Sequence, residues 1–175
     1  MDKTIEKTQN SAIKPLVEKL TSKNGLERKS ARKKLVSIGS DAIEYLKEFI
    51  EHPKHIYRWE ALKTLGEIGD PISIPFYLQA LEDDESDIRW IAAENLIKSG
   101  KKSIKPLLET LIDKSDSIFI LSGVHHVFYD LKKADDLPTD FPVDKLLHSL
   151  KSSKLAGSIK PLAFELLNGL ESQEH

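Results

Sequence analysis

Apolar positions along this chain recur at helical spacing, in segments parted by short polar turns. Four such segments open on Ile13-Lys14-Pro15-Leu16, Ile43-Glu44-Tyr45-Leu46, Ile74-Pro75-Phe76-Tyr77 and Ile104-Lys105-Pro106-Leu107, at intervals of 30, 31 and 30 residues. Proline early in such a segment fits a first helical turn, where its missing N–H costs little. Asp70-Pro71 reads as an N-cap followed by the first helical residue. A second apolar segment follows each of these and repeats with the same period. Arg28, Arg58 and Arg89 are 30 and 31 residues apart, and so are Ala31, Ala61 and Ala92, and Leu35, Leu65 and Leu96. Gly39, Gly69 and Gly100 keep that spacing, each placed to end a helix in the left-handed conformation. Another 31 residues on, Gly123 and Val127 take the alanine and leucine places.

Each unit is therefore a shorter A helix, a polar turn and a B helix. The spacing predicts pairs near 11–22 with 26–38, 41–51 with 54–68, 71–82 with 86–99, and 102–113 with 117–132. A fifth, less regular pair falls near 142–151 with 158–170, after an inserted loop at 134–141 rich in Asp and Pro. There Ala163 and Leu167 are expected to hold the alanine and leucine places. The whole chain reads as a single domain with repeats near 11–39, 40–69, 70–100, 101–133 and 141–171. No pair can bury its own apolar stripe, so neighbours must stack, and the small residue on each B helix lets them approach closely. An all-α solenoid with one concave surface is the expected product.

The repeat resembles HEAT repeats, and more closely the short HEAT-like repeats of phycobilin lyases and many bacterial proteins. Ile88-Arg89-Trp90-Ile91-Ala92-Ala93 with Leu96 and Gly100 carries the likeness, as does Tyr57-Arg58-Trp59-Glu60-Ala61-Leu62 with Leu65, Gly66, Ile68 and Gly69. The resemblance implies a right-handed α-α superhelix of about five helix pairs. It also implies an Asp in the turn bonded to the B-helix Arg of a neighbouring repeat. Asp83 fits that place before Arg89, whereas His52 and Ser22 stand there before Arg58 and Arg28, and the fourth repeat has Ile120 for Arg. Such a ladder would be broken here. The resemblance is specific for fold and says little of function.

In HEAT-like stacks the B helices line the concave side. The residue after each Arg and the one four further on share a helix face, which gives Lys29/Lys33, Trp59/Lys63, Trp90/Glu94 and Leu121/His125, the last three flanked by Thr64, Asn95 and His126. Both tryptophans of the chain fall in one register. Each either covers a seam between B helices or serves as a binding anchor, and Trp is enriched in such anchors. Of the adjacent histidines, one is expected in the groove and one near the core; partner binding is expected to change with pH through His125, and His126 to bear on stability if its ring is the one turned toward the core. Neighbours on a helix diverge by about 100°, so the two cannot readily chelate one metal. His52 and His55 read as turn residues. Asp83-Asp84-Glu85 lacks the spacing of a calcium loop.

Charge refines this picture. Residues 1–40 carry ten Lys and Arg against four Asp and Glu, net +6; residues 41–100 carry six against thirteen, net −7. The dense block Arg28, Lys29, Arg32, Lys33 and Lys34 is either a solvated helix face or an end that meets phosphate or acid. With no cysteine, disulfides, thiolate metal sites and cysteine nucleophiles are excluded. No apolar run is long enough to span a membrane, and Met1-Asp2-Lys3-Thr4 opens no signal peptide, so a cytoplasmic protein without membrane association is expected. No phosphate loop, catalytic triad, zinc motif or repeated His-Glu pair occurs, so no catalytic residue, cofactor or metal is expected. The leading expectation is a non-enzymatic adaptor or scaffold that binds a protein or peptide through Trp59, Lys63, Trp90, Glu94, Asn95, Leu121, His125 and His126. The alternative is nucleic-acid or acidic-ligand binding at the basic block, with a DNA-glycosylase-like activity as its remote extension; a lyase-like activity is what the resemblance to phycobilin lyases leaves open.

Overall fold

The computed structural model describes residues 12–151 and 156–173; Met1–Ser11, and with them the opening Met1-Asp2-Lys3-Thr4, lie outside the described residues. Helix α1 covers residues 12–19, followed by α2 (Gly25–Ile38), α3 (Ile43–Ile50), α4 (His55–Ile68) and α5 (Ile74–Ala80). Then come α6 (Ser86–Lys98), α7 (Ile104–Asp113), α8 (Ile118–Lys133), α9 (Val143–Lys151) and α10 (Ala156–Gln173). Among the described residues there is no strand. The elements start and stop for local reasons. Gly39, Gly69 and Gly100 all have positive φ, at +79°, +73° and +58°, where a side chain would strain the backbone that ends each B helix. Asp70 accepts the Ile72 N–H at 3.0 Å with Pro71 in the first helical place, while Asn24 and Ser117 cap α2 and α8.

The helices gather into two compact units, Met1–Phe76 and Tyr77–His175, and the division falls inside α5. In the first unit α4 packs on both α2 and α3, burying Ala31, Leu35, Leu46, Ala61, Leu62 and Leu65. In the second, α6 packs on α8 over Ala92, Leu96, Val124 and Val127. Gly123 gives the buried Leu81 side chain its room on α8, since a Cβ there would lie 2.8 Å from Leu81 Cδ2, which would have to shift.

The B-helix arginines settle how each turn is held. Arg28 Nη1 donates to the Ser22 carbonyl at 2.8 Å, Arg58 Nη1 to the His52 carbonyl at 2.9 Å, and Arg89 Nη1 to the Asp83 carbonyl at 2.6 Å. Each also reaches the next carbonyl, of Lys23, Pro53 and Asp84. These backbone bonds hold each turn whether Asp stands at that place, as Asp83 does, or not, as with Ser22 and His52. The guanidinium binds backbone oxygens just beyond an A helix, where carbonyls lack helical partners.

The fifth pair departs from the rest. Its second helix, α10, packs most extensively on α7, and its first, α9, packs on α8. The A and B layers are thus exchanged relative to the earlier pairs. Lys105 of α7 pairs with Glu171 of α10 at 2.7 Å, and Lys132 of α8 with Asp144 of α9 at 2.6 Å. The loop before α9 permits this crossing. It bends through two left-handed residues, Asp135 and Asp140, stacks Phe141 on Phe128, and brings the Asp136 carboxylate against Gly100. Ala163 is buried as expected, but Leu166 rather than Leu167 joins the core beside it. Among the described residues no helix is long and apolar enough to cross a membrane.

Candidate functional site

In the second unit, α6 and α8 leave an open groove of about 520 Å³ between them. Ser86, Arg89, Trp90 and Ala93 form one wall, and Ile118, Phe119, Ser122, Gly123 and His126 the other. Trp90 is 58% exposed, a large apolar surface for a small domain to leave in water, and Ile118 and Phe119 beside it are exposed too. The Trp90 ring lies 4.8 Å from the His126 ring at a 32° tilt. The Arg89 guanidinium, fixed by its two carbonyls, sits 4.2 Å over the Phe119 ring. At the other end of the His126 imidazole, Glu94 Oε1 and Asp130 Oδ2 both approach Nε2, at 3.4 and 3.9 Å.

The structure thus brings Trp90, Glu94 and His126 together and adds Arg89, Phe119, Ser122 and Asp130, which the sequence reading left out. It also corrects three placements. Asn95 is 2% exposed, so it belongs to the core and not to a binding face. Leu121 and His125 do not line the groove; Ser122 and His126 take that place. The two histidines also exchange their expected roles. His126 faces the groove, while His125 turns its Nε2 into a buried position with no hydrogen-bond partner, its ring stacked over Tyr129 at 6.2 Å. Burial there lowers the His125 pKa, and the positive charges of Lys151 and His126 lower it further.

In the first unit Trp59 is half-buried under the Lys63 ammonium, 4.4 Å from its ring centre. The basic block divides. Lys29, Lys33 and Lys34 are exposed, whereas Arg28 and Arg32 are spent on α4. Arg28 Nε meets Glu60 Oε1 at 2.8 Å, and Arg32 meets Glu60 Oε2 at 2.5 Å and Glu67 Oε1 at 3.0 Å. With Glu60 2% exposed and Arg32 buried, this is an internal clamp between two B helices. As members of a free cationic patch, Arg28 and Arg32 are corrected.

The HEAT-repeat family profile matches residues 13–97 and again 52–125. These two stretches together span well over half of the chain. The chain belongs to the HEAT-repeat family. Among solved structures, this HEAT-repeat chain is similar to a chain from the complex of CpcE and CpcF of phycocyanin lyase from Nostoc sp. PCC7120. The TM-score is 0.56 at 23% identity, covering 87% of this chain and 98% of the other. At that identity the likeness concerns the fold, an α-solenoid of HEAT-type helix pairs. No curated protein matches the chain.

Proposed function

We propose that this HEAT-repeat protein is a cytoplasmic, non-enzymatic adaptor that recognises a partner protein segment on its B-helix face, with an apolar or aromatic side chain of that segment seated in the α6–α8 groove. The observation that carries this reading is Trp90, exposed in a groove whose rim also exposes Ile118 and Phe119. Solvent-facing Trp beside a cleft is the residue type and setting of an interface anchor. Arg89, bonded to two carbonyls and set over Phe119, and His126, with Trp90 against its ring, supply polar edges that would orient a segment. Trp59 with Lys63 offers a second aromatic patch on the first unit. That the fold relative comes from a complex of two proteins supports the same use.

The basic-block alternative is left with Lys29, Lys33 and Lys34, since Arg28 and Arg32 neutralise Glu60 and Glu67. Sequence-independent nucleic-acid binding draws on several cations along one surface. Peptide display against the immobilised protein, followed by titration of selected peptides, tests the proposal. Trp90→Ala is expected to weaken binding by about 2 kcal/mol or more, roughly 30-fold in Kd. A Lys33→Ala/Lys34→Ala variant should bind the same peptides unchanged. Peptide affinity indifferent to Trp90→Ala, alongside duplex-DNA binding that collapses with salt and with the lysine variant, would overturn the reading.

A further inference from the structure

We propose that Glu94, His126 and Asp130 form a binding site for a divalent transition cation of the zinc type, at the end of the α6–α8 groove. The three donor atoms lie within 4.8 Å of one another, on side chains that are each half-buried. Two helices supply them. His126 and Asp130 stand four residues apart on α8, so they share one face of that helix one turn apart. Glu94 comes from α6, whose packing on α8 fixes the distance between the two backbones.

The distances favour a shared cation over a network closed on itself. Glu94 Oε1 is 3.4 Å and Asp130 Oδ2 3.9 Å from the same imidazole nitrogen. A well-formed N–H···O bond is about 2.7–3.2 Å long, and both separations exceed it. Donors bonded to zinc at about 2.0–2.2 Å stand roughly 3.0–3.5 Å apart, which the Glu94 distance already meets and Asp130 reaches by a small side-chain rotation. The two carboxylates bring negative charge to balance the cation. The imidazole selects borderline cations over magnesium or calcium, which prefer oxygen alone. Three protein ligands leave coordination positions for water or an incoming acidic group, as in open zinc sites. The Trp90 ring stacked on His126 holds the imidazole plane, and Lys133, 3.7 Å from Asp130 Oδ1, engages the carboxylate oxygen that faces away from the site. His125 takes no part, its ring turned elsewhere.

Trp90 makes the site visible, because a cobalt ion on His126 would quench a ring 4.8 Å away. The experiment uses the full chain, freed of any affinity tag, in a Trp59→Phe background so that Trp90 alone emits. Cobalt should quench its fluorescence in a saturable, one-to-one manner, zinc should reverse the quenching by competition, and excess magnesium should not. His126→Gln should abolish the saturable phase. Glu94→Gln and Asp130→Asn should each weaken it by about tenfold or more, while His125→Gln leaves it intact. Circular dichroism on each variant confirms that the helices persist. Absence of saturation at millimolar cobalt, or the same affinity in the Glu94, His126 and Asp130 variants, would overturn the site and leave the three as a surface ion-pair cluster.

Discussion

His125 and His126 are neighbours in the chain but not in environment, because consecutive helical residues point about 100° apart. The repeat spacing places them correctly on a B helix. It cannot say which of two adjacent side chains falls on the seam, since one residue of rotation decides it. The structure turns His125 inward, and this has a consequence for stability. Burial without a partner for Nε2 lowers its pKa below the ordinary value of 6.5, with Lys151 and His126 adding to the effect. The unfolded chain then takes up a proton at a higher pH than the folded one. By linkage, stability is complete above about pH 6.5 and declines as the pH falls through that value, because protonation favours the unfolded state. Denaturant midpoints measured from pH 8 down to pH 5 should fall, and His125→Gln should flatten the decline. A midpoint that rises on acidification, or an unchanged slope in the variant, would contradict the assignment. A groove-facing histidine would instead make partner affinity, rather than stability, track pH.

Between elements, the repeat period and the contact period are different quantities, which explains why the fold was legible in the sequence and much of the site was not. Equivalent residues recur every 30 or 31 positions, as Arg58 and Arg89 do, but equivalence is not contact. Side chains that bridge adjacent repeats are offset further: Arg28–Glu60, Glu82–Lys114 and Glu94–His126 are all 32 apart. A row built from equivalent positions therefore paired Glu94 with His125, one residue short of the His126 it meets, and Trp90 with Leu121 although its ring lies on His126 as well. The same shift hid the pairing of the basic block with Glu60. The exchanged fifth pair did have a signal: Ile159-Lys160-Pro161-Leu162 repeats Ile104-Lys105-Pro106-Leu107, an A-helix opening, inside α10. The alanine and leucine register, followed instead, assigned that helix to the B layer. Glu60 gives a test at this scale. It satisfies two arginines at once, so Glu60→Ala strands the buried guanidinium of Arg32 with only Glu67 as a partner. Breaking a buried pair from one side costs about 3–5 kcal/mol, which chemical denaturation of the variant should show. A loss of a few tenths would mean the clamp behaves as a surface pair.

At the scale of the molecule, the expectation of a single domain meets two compact units, and the position of their division bears on how the chain unfolds. The boundary lies between Phe76 and Tyr77, inside α5, so one continuous helix belongs to both. A seven-residue helix is far too short to persist alone in water and depends on packing from its surroundings. The helix is whole only while its residues 74–76 in the first unit and 77–80 in the second are both folded. Repeat proteins of this kind gain stability from terms between neighbours as well as within each repeat. We therefore propose that the chain behaves as one cooperative domain despite its two units. Nature has placed a reporter in each, with Trp59 in the first and Trp90 in the second. Single-tryptophan variants, Trp90→Phe and Trp59→Phe, followed by fluorescence through a urea titration, should give coincident transitions that also match helix loss by circular dichroism. Midpoints that separate beyond the difference in overall stability between the two variants would show the units melting independently, and the single-domain reading would fail.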